Sequence, residues 1–270
     1  MKTTIQQSLV TLALGAALLF NAPVNAGSTQ FEESKFAAPQ ISKFAKQVEH
    51  YAAAQQANVF IIGRVGQPKK DLPKGFEFTH VALAVYSEIT TDDGAKKKGY
   101  AIHNLYQYED DLSKSSLVID YPTDFFWSVY ELEAGIAVPV PKLQAQIINA
   151  INNGVPAAVH NSRYSLIANP FNAERQNCTE HTLDVINASI YNTTDIAQLK
   201  ANAKSYFKPQ PVKVNPFKLM LGNMFKDDIF TSDHSGDIEV ASFMSIMRYL
   251  REQELLAHAA IITPDSEKVL

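Results

Sequence analysis

Apolar positions along this chain recur with two different periods, and each period predicts a different kind of element. Across residues 41–52 they return every three or four positions, which predicts an amphipathic helix. Residues 58–63 contain an unbroken apolar run that is typical of a buried strand. Segments 76–86 and 99–108 are rich in strand-forming residues and flank an Asp-Asp-Gly sequence at 92–94, so together they predict a β-hairpin.

Shorter elements are predicted in the middle and at the end of the chain. Residues 117–119 suggest a further strand, and Thr123-Asp124 would cap a short aromatic helix. Residues 135–140 predict a strand, and residues 141–153 predict a helix that Gly154 closes. A core-facing apolar stripe predicts a last helix; its members are Val240, Phe243, Met244, Met247 and Leu250.

One predicted helix carries the only cysteine of the chain at its start. Asn177 is a suitable N-cap, and Glu180 lies three residues further on, as the acidic member of a capping box does. Cys178 then occupies the first helical position, where unsatisfied backbone N–H groups and the helix dipole favour negative charge. We therefore expect its thiol to ionise more readily than an ordinary cysteine.

The first 26 residues predict export. Lys2 precedes an apolar run at 9–20 that is too short for a stable membrane anchor, and an A-x-A-like pattern ends at Ala26. We expect a cleaved signal peptide and a periplasmic or secreted protein; an uncleaved tether is the alternative. No later segment has the length and apolarity of a transmembrane helix, so no integral membrane span is expected after signal removal.

Composition narrows the classes of partner and the domain plan. The formal net charge is −4, so no basic surface for nucleic acid is predicted. With 46% apolar residues, the chain can form one well-packed domain. We expect an N-terminal segment and helix at 27–57, a core at 58–191, and a helical C-terminal extension packed on the core at 192–270.

A cysteine nucleophile needs a base that titrates near neutral pH, and histidine is the side chain that suits this task. Of the seven histidines, His80 and His103 fall within the two strands of the predicted hairpin. If residues 89–94 form the loop, these two histidines lie opposite each other on one face. A tight Asp93-Gly94 turn would instead pair His103 with Ala84. A shared catalytic role therefore predicts the wider loop.

Three motifs in this order resemble a known family. They are Thr79-His80-Val81-Ala82-Leu83, Gly99-Tyr100-Ala101-Ile102-His103 and Asn177-Cys178-Thr179-Glu180-His181. This combination resembles the circularly permuted, NlpC-like branch of the papain-fold thiol hydrolases, which includes lecithin:retinol acyltransferase. The resemblance implies an α+β, papain-like fold with an antiparallel sheet packed against helices. The whole chain also resembles an uncharacterised bacterial family of exported proteins.

By this resemblance, Cys178 is the nucleophile, His80 the general base and His103 the residue that orients His80. The connection between the two histidine strands is longer than in the acyltransferases, and Thr179 is an additional residue in the cysteine motif. For His181, one helical turn after Cys178, we expect a structural or supporting role.

The expected chemistry is attack of the Cys178 thiolate on a carbonyl carbon, with the oxyanion bound by backbone N–H groups. Asn177 or Gln176 would supply a further donor, although Asn177 is equally suited to a plain N-cap role. Asn104 should point to the face opposite His103, which makes it the weaker candidate for orienting His80. An exported amidase, peptidase or acyl esterase would act on a cell-wall peptide or on an acyl group of an envelope lipid or lipoprotein.

Two alternatives use the same atoms. Cys178, His181, His80 and His103 are residue types that bind zinc, although their spacing matches no established zinc motif. A protein that keeps a papain-like fold as a non-catalytic binding module is the other alternative. The primary expectation includes no metal and no cofactor.

Overall fold

The computed structural model describes residues 34–90, 94–213 and 228–270. The predicted signal peptide and the centre of the hairpin turn lie outside these ranges. The strands are β1 Val59–Val65, β2 His80–Thr90, β3 Lys96–Gln107, β4 Ser115–Asp120, β5 Glu131–Pro139, β6 Gln210–Pro211, β7 Glu239–Val240, β8 Leu256–Thr263 and β9 Ser266–Val269. The helices are α1 Ala38–Ala54, α2 Pro122–Phe125, α3 Pro141–Asn152, α4 Val155–Ala158, α5 Cys178–Tyr191, α6 Ile196–Tyr206 and α7 Phe243–Glu252.

A seven-stranded sheet with the order β4-β3-β2-β1-β5-β8-β9 organises the fold. Each neighbouring pair of strands in this sheet is antiparallel. Helices pack on both faces of the sheet, so the predicted α+β class with an antiparallel sheet is confirmed. None of the helices in the described ranges is long and apolar enough to cross a membrane.

Residues alternate between two buried faces along β1 and β2, as the period of a strand requires. Phe60, Ile62, Ala82 and Ala84 pack with α1 and α2, on what we call the α1 face. Val59, Ile61, Val81 and Leu83 pack with α3, α5 and α7, on what we call the α5 face. Both faces are covered along β1 and the first half of β2, so the apolar residues there contribute to one of two separate cores.

The register of the β2–β3 hairpin differs from the prediction. Leu83 pairs with His103, and the ladder continues to the pair Thr90 and Lys96. The predicted pairing of His80 with His103 is therefore wrong, and so is the tight-turn alternative. Much of the outer half of the hairpin is exposed, so burial does not specify the pairing there.

This register reverses the expected orientation of two neighbouring residues. Ile102 lies opposite Ala84, so Asn104, two residues along β3, is on the α1 face together with His80. His103 is on the α5 face. The expectation that Asn104 points away from His80 is therefore wrong for the same reason as the register.

The C-terminal part of the chain is less helical than predicted. Strands β8 and β9 extend the central sheet beside β5, and this arrangement makes the last residues part of the main sheet. The predicted last helix is present as α7, but Val240 precedes it in β7. Helix α2 begins at Pro122 after Tyr121, so Thr123 and Asp124 lie inside the helix and do not cap it.

Candidate functional site

Helix α5 begins at Cys178, as predicted. The Asn177 side-chain oxygen accepts a hydrogen bond from the Glu180 backbone N–H at 2.9 Å, which makes Asn177 the N-cap. The Asn177 amide nitrogen donates to the Leu166 carbonyl at 3.0 Å and so ties the cap to the preceding loop. The predicted capping box is not formed, because the Glu180 carboxylate binds Lys200 instead. Asn177 thus fixes where the cysteine helix starts.

The Cys178 side chain is enclosed but borders a pocket. It is 3% exposed and packs against Leu105 of β3 and Tyr164. Its sulfur lies 3.8 Å from the Thr179 hydroxyl oxygen, and both residues line the same pocket. Leu105, like His103, belongs to the α5 face, so the cysteine approaches the sheet from that side.

His80 is fully buried on the α1 face, at the first position of β2. Its Nε2 atom is 2.9 Å from the side-chain oxygen of Asn104. The ring stacks on Tyr106, with ring centroids 4.9 Å apart and an interplanar angle of 5°. Asn104 therefore takes the position next to His80 that the sequence assigned to His103.

The Asn104 amide fixes the tautomer of His80. Its nitrogen donates to a carboxylate oxygen of Asp120 at 3.2 Å and to the Ile102 carbonyl at 3.1 Å. Since both partners accept hydrogen bonds, the amide oxygen must face His80, and Nε2 of His80 must carry the proton. The lone pair of the imidazole is then on Nδ1, a buried atom with no hydrogen-bond partner among the described residues.

The surroundings of His80 keep its ring neutral. Burial lowers the pKa of His80 to about 3, and the charge of Arg64 acts in the same direction. Arg64 is itself almost completely buried, and its guanidinium lies 5.6 Å from the centre of the Tyr106 ring. At neutral pH the imidazole therefore carries an available lone pair and no charge.

Tyr106 stacks on His80, and its hydroxyl donates to Asp120 at 2.6 Å. Burial raises the pKa of Tyr106 and the charge of Asp120 raises it further, while Arg64 acts in the opposite direction. The β2–β3 ladder begins at Leu83, so His80 lies beyond its end and is linked to β3 through side chains. On the other face, the Thr182 hydroxyl of α5 donates to the Val81 carbonyl at 3.4 Å. The imidazole and the thiol thus approach the same end of the hairpin from opposite faces.

His103 is not brought to His80. It lies opposite Leu83 and Ile119 on the α5 face, and burial lowers its pKa. His181 is also on that side: its Nε2 is 3.0 Å from the Pro156 carbonyl oxygen, and burial lowers its pKa to about 4. This geometry gives His181 the structural contact expected of it.

The Gln176 amide is fully engaged. Its nitrogen donates to the Val159 carbonyl at 3.0 Å and to Asp184 at 2.8 Å, while its oxygen accepts from the Asn161 N–H at 2.9 Å. Both amide hydrogens are used, and none is left for the predicted oxyanion contact. The second amide hydrogen of Asn177, which lines the pocket, is the better placed side-chain donor.

The family described as "Uncharacterized protein conserved in bacteria (DUF2145)" matches residues 51–250. This chain belongs to that family. The match runs from α1 into α7 and includes His80, Asn104 and Cys178. The predicted resemblance to an uncharacterised bacterial family is confirmed. No curated protein and no solved structure matches the chain.

In this DUF2145 member, a buried charge cluster holds α5 against α6. The Lys200 ammonium is 2.6 Å from a Glu180 oxygen and 2.8 and 2.9 Å from the two Asp184 oxygens. Burial raises the pKa of Glu180 to about 8. The charge of Lys200 lowers this pKa, and the charge of Asp184 raises it. One ammonium neutralises only one of the two carboxylates, so Glu180 retains its proton at neutral pH.

Three further residues of the site were not predicted from the sequence: Arg64, Tyr106 and Asp120. Each is a polar or charged residue inside a strand, and this is the only sequence signal that pointed to them. In the described ranges, no group of three or more His, Cys, Asp or Glu side chains is arranged to hold a metal ion. The zinc alternative therefore finds no set of ligands there.

Proposed function

We propose that this protein is a cysteine-dependent hydrolase with a papain-like arrangement, in which Cys178 attacks an amide or ester carbonyl. The observation that carries the proposal is the hydrogen-bond chain from Asp120 through Asn104 to His80. This chain orients a buried imidazole with its lone pair on Nδ1, and we propose that Nδ1 accepts the proton of Cys178.

In the first step, Nδ1 of His80 accepts the thiol proton of Cys178 while the sulfur forms a bond to the carbonyl carbon. The carbonyl electron pair moves to the oxygen. When this oxyanion collapses, the bond to the leaving nitrogen or oxygen breaks, and the His80 imidazolium protonates the leaving group. A thioester on Cys178 and a free amine or alcohol result.

In the second step, water attacks the thioester and His80 accepts a proton from it. Collapse of this intermediate releases a carboxylic acid and returns the proton to the sulfur. His80 must therefore be neutral at the start of each step, and burial holds the ring in its neutral form at pH 7. Asn104 positions His80 in both steps.

The start of α5 suits the oxyanion of both steps. The helix has 14 residues, and the backbone N–H groups of its first turn point toward the helix mouth, where the helix dipole favours negative charge. The backbone N–H groups of Cys178 and Thr179 are the proposed donors, with the Asn177 amide beside them.

The expected export signal would direct the enzyme to the cell envelope or beyond it. It favours substrates of the cell envelope, either a cell-wall peptide or an acyl group of a lipid or lipoprotein. The alternative, a binding module that keeps the fold without turnover, predicts a Cys178 thiol that does not react.

A comparison of the wild-type chain with Cys178→Ser tests the proposal. We expect wild-type hydrolysis of p-nitrophenyl esters, a loss of at least about 1000-fold in the variant, and alkylation of wild-type Cys178 by iodoacetamide. Ser189→Ala, on the same helix but remote from its first turn, is the matched control and should keep full activity. Equal activity in Cys178→Ser, or an inert thiol in a chain without turnover, would refute the hydrolase.

A further inference from the structure

A pocket of about 130 Å³ opens beside Cys178. Its walls are mainly apolar and include Leu72, Phe76, Phe78, Ile167, Val212 and Val240. The described residues that line it include no Asp, Glu, Lys, Arg or His. The thiol therefore borders an uncharged space in which an apolar group is favoured over a charged one.

We propose that this pocket binds an apolar group of about four to six carbon atoms attached to the carbonyl that Cys178 attacks. This inference rests on the proposed hydrolase function and names its substrate class. A dry cavity of about 150 Å³ lined by aliphatic and aromatic side chains holds a benzene-sized ligand, and the pocket here is of similar size. Transfer of an alkyl group from water into apolar space of this kind lowers the free energy.

One wall of the pocket is rigid. The Phe78 ring packs edge-to-face on Phe243, with ring centroids 4.8 Å apart. A Cβ atom at Gly135 would lie 2.7 Å from the Phe78 ring, and one at Gly63 would lie 3.0 Å from it. The two glycines thus let the ring lie flat against the sheet, and the pocket is formed before a ligand arrives.

The polar lining residues set the orientation of the ligand. Asn177 and Thr179 flank Cys178 in the sequence and line the same pocket, so hydrogen-bonding groups accompany the sulfur. The carbonyl of the substrate belongs at this polar end, and its alkyl chain extends toward Phe76 and Val212. A substrate with a carboxylate or an ammonium next to the scissile carbonyl would bury that charge without a partner.

Two kinds of substrate carry such a group: an ester of a short fatty acid, and a peptide whose residue at the scissile carbonyl is leucine. A series of p-nitrophenyl esters from acetyl to dodecanoyl tests the first kind. N-acetylated coumarin amides of glycine, leucine, glutamate and lysine, which carry no ammonium next to the scissile carbonyl, test the second. The series in which kcat/KM rises most from its smallest member to its apolar members identifies the kind of substrate, while a preference for glutamate or lysine over leucine would overturn the proposal.

In the ester series we expect kcat/KM to rise by about fourfold for each buried methylene, or on the order of 100-fold from acetyl to hexanoyl. The rise should stop near six carbons, where the pocket is full. A flat series, or one that falls from acetyl onward, would refute an apolar subsite even in an active hydrolase.

Val212→Trp tests the location of the subsite. Val212 is a half-buried wall residue, and a larger side chain there should fill the pocket. We expect at least a tenfold loss in kcat/KM for the hexanoyl ester and less than a twofold change for the acetyl ester. Val269→Trp is the matched control, since Val269 lies 65% exposed on β9 outside the pocket. Equal losses with both esters would place the subsite elsewhere.

A binding measurement separates this inference from the proposed function. In the full chain carrying Cys178→Ser, hexanamide should bind saturably in an NMR titration, and Val212→Trp should abolish that binding. If no ester or amide is cleaved but hexanamide still binds there, the hydrolase is refuted and the pocket assignment stands. If hexanamide does not bind, the pocket assignment is refuted whatever the turnover.

Discussion

Two buried polar clusters lie near Cys178, and they are built on different principles. The His80 cluster comprises Arg64, His80, Asn104, Tyr106 and Asp120 on the α1 face. The Lys200 cluster comprises Gln176, Glu180, Asp184 and Lys200 behind α5. In the His80 cluster, Asp120, Asn104 and His80 form a chain of hydrogen bonds that leaves the lone pair of His80 on Nδ1. In the Lys200 cluster, both carboxyl groups accept hydrogen bonds from the same ammonium. The first arrangement orients a proton acceptor, whereas the second holds two helices together.

Burial makes both titrating groups neutral at pH 7, but with opposite results. It lowers the pKa of His80 to about 3, so the neutral ring presents a base. It raises the pKa of Glu180 to about 8, so the neutral carboxyl retains a proton. Burial thus leaves the His80 imidazole unprotonated on Nδ1 and the Glu180 carboxyl protonated. Variants in each cluster should accordingly affect different measurements.

The largest expected effect comes from replacing the base. General acid–base catalysis contributes about 100- to 10,000-fold, so His80→Gln should reduce kcat/KM by about 1000-fold. His103→Gln is the matched control on the other face of the sheet and should change kcat/KM by less than about threefold. Ester hydrolysis measures both, with circular dichroism as the check on folding. Similar losses of kcat/KM in the two variants would contradict the assignment of His80, and not His103, as the base.

Lys200→Met should mainly affect stability. It leaves two buried carboxyl groups without their cation, and breaking a buried ion pair in this way costs about 3–5 kcal/mol. Denaturant unfolding measures the loss. Lys204→Met, at an exposed position on the same helix, should change the free energy of unfolding by less than about 0.5 kcal/mol. If the two variants are equally stable, the cluster does not hold α5 in place.

Asp120→Asn should act on His80 through Asn104. An amide at position 120 can donate as well as accept, so only the Ile102 carbonyl still selects the Asn104 orientation. Since acid–base catalysis is worth about 100- to 10,000-fold, a partly misplaced tautomer should lower kcat by about 10- to 100-fold with little change in KM. Nitrogen NMR of the imidazole should show a mixture of tautomers. Tyr106→Phe removes the other donor to Asp120 and should leave the tautomer unchanged; a mixed tautomer there would contradict this assignment.

The smallest expected effect is a pH dependence of stability. Glu180 has a pKa near 4.5 when unfolded and about 8 when folded, so between these values the folded chain binds the extra proton. Its contribution to stability is complete below pH 4.5 and is lost as the pH rises through 8. From pH 6 to pH 8 the Glu180 contribution to the free energy of unfolding should fall by about 2 kcal/mol, while the lowered pKa values of His80 and His181 act in the opposite direction. The measurement is therefore the difference in free energy of unfolding between the wild type and Glu180→Gln at each pH. A difference that does not change with pH would contradict the assignment.

Local signals in the sequence were sufficient for much of the fold. The apolar period predicted α1, and Asn177 predicted the start of α5 because an N-cap acts within three residues of itself. Strands β8 and β9 were not predicted. The place of β8 beside β5 depends on residues more than a hundred positions away, which no local pattern reports, and β9 then pairs with β8.

The candidate site was predicted less completely, for a related reason. His80 and Cys178 were selected by residue type and context, but Asn104 was assigned to the wrong face because one change of register reverses every side chain. The pairing of Glu180 with Lys200 across 20 residues was also missed. A capping-box pattern favoured a local partner for Glu180, and the tertiary contact prevailed over it.

The enclosure of Cys178 has a consequence for the lifetime of the thiol. Only 3% of the residue meets solvent, and the adjoining pocket has about 130 Å³. Exchange with a disulfide requires in-line approach of a second sulfur atom to the thiolate. A bulky oxidant such as oxidised glutathione is too wide for that approach, whereas a slender acyl chain fits. The walls that would select a substrate therefore also protect the sulfur from exchange with bulky disulfides.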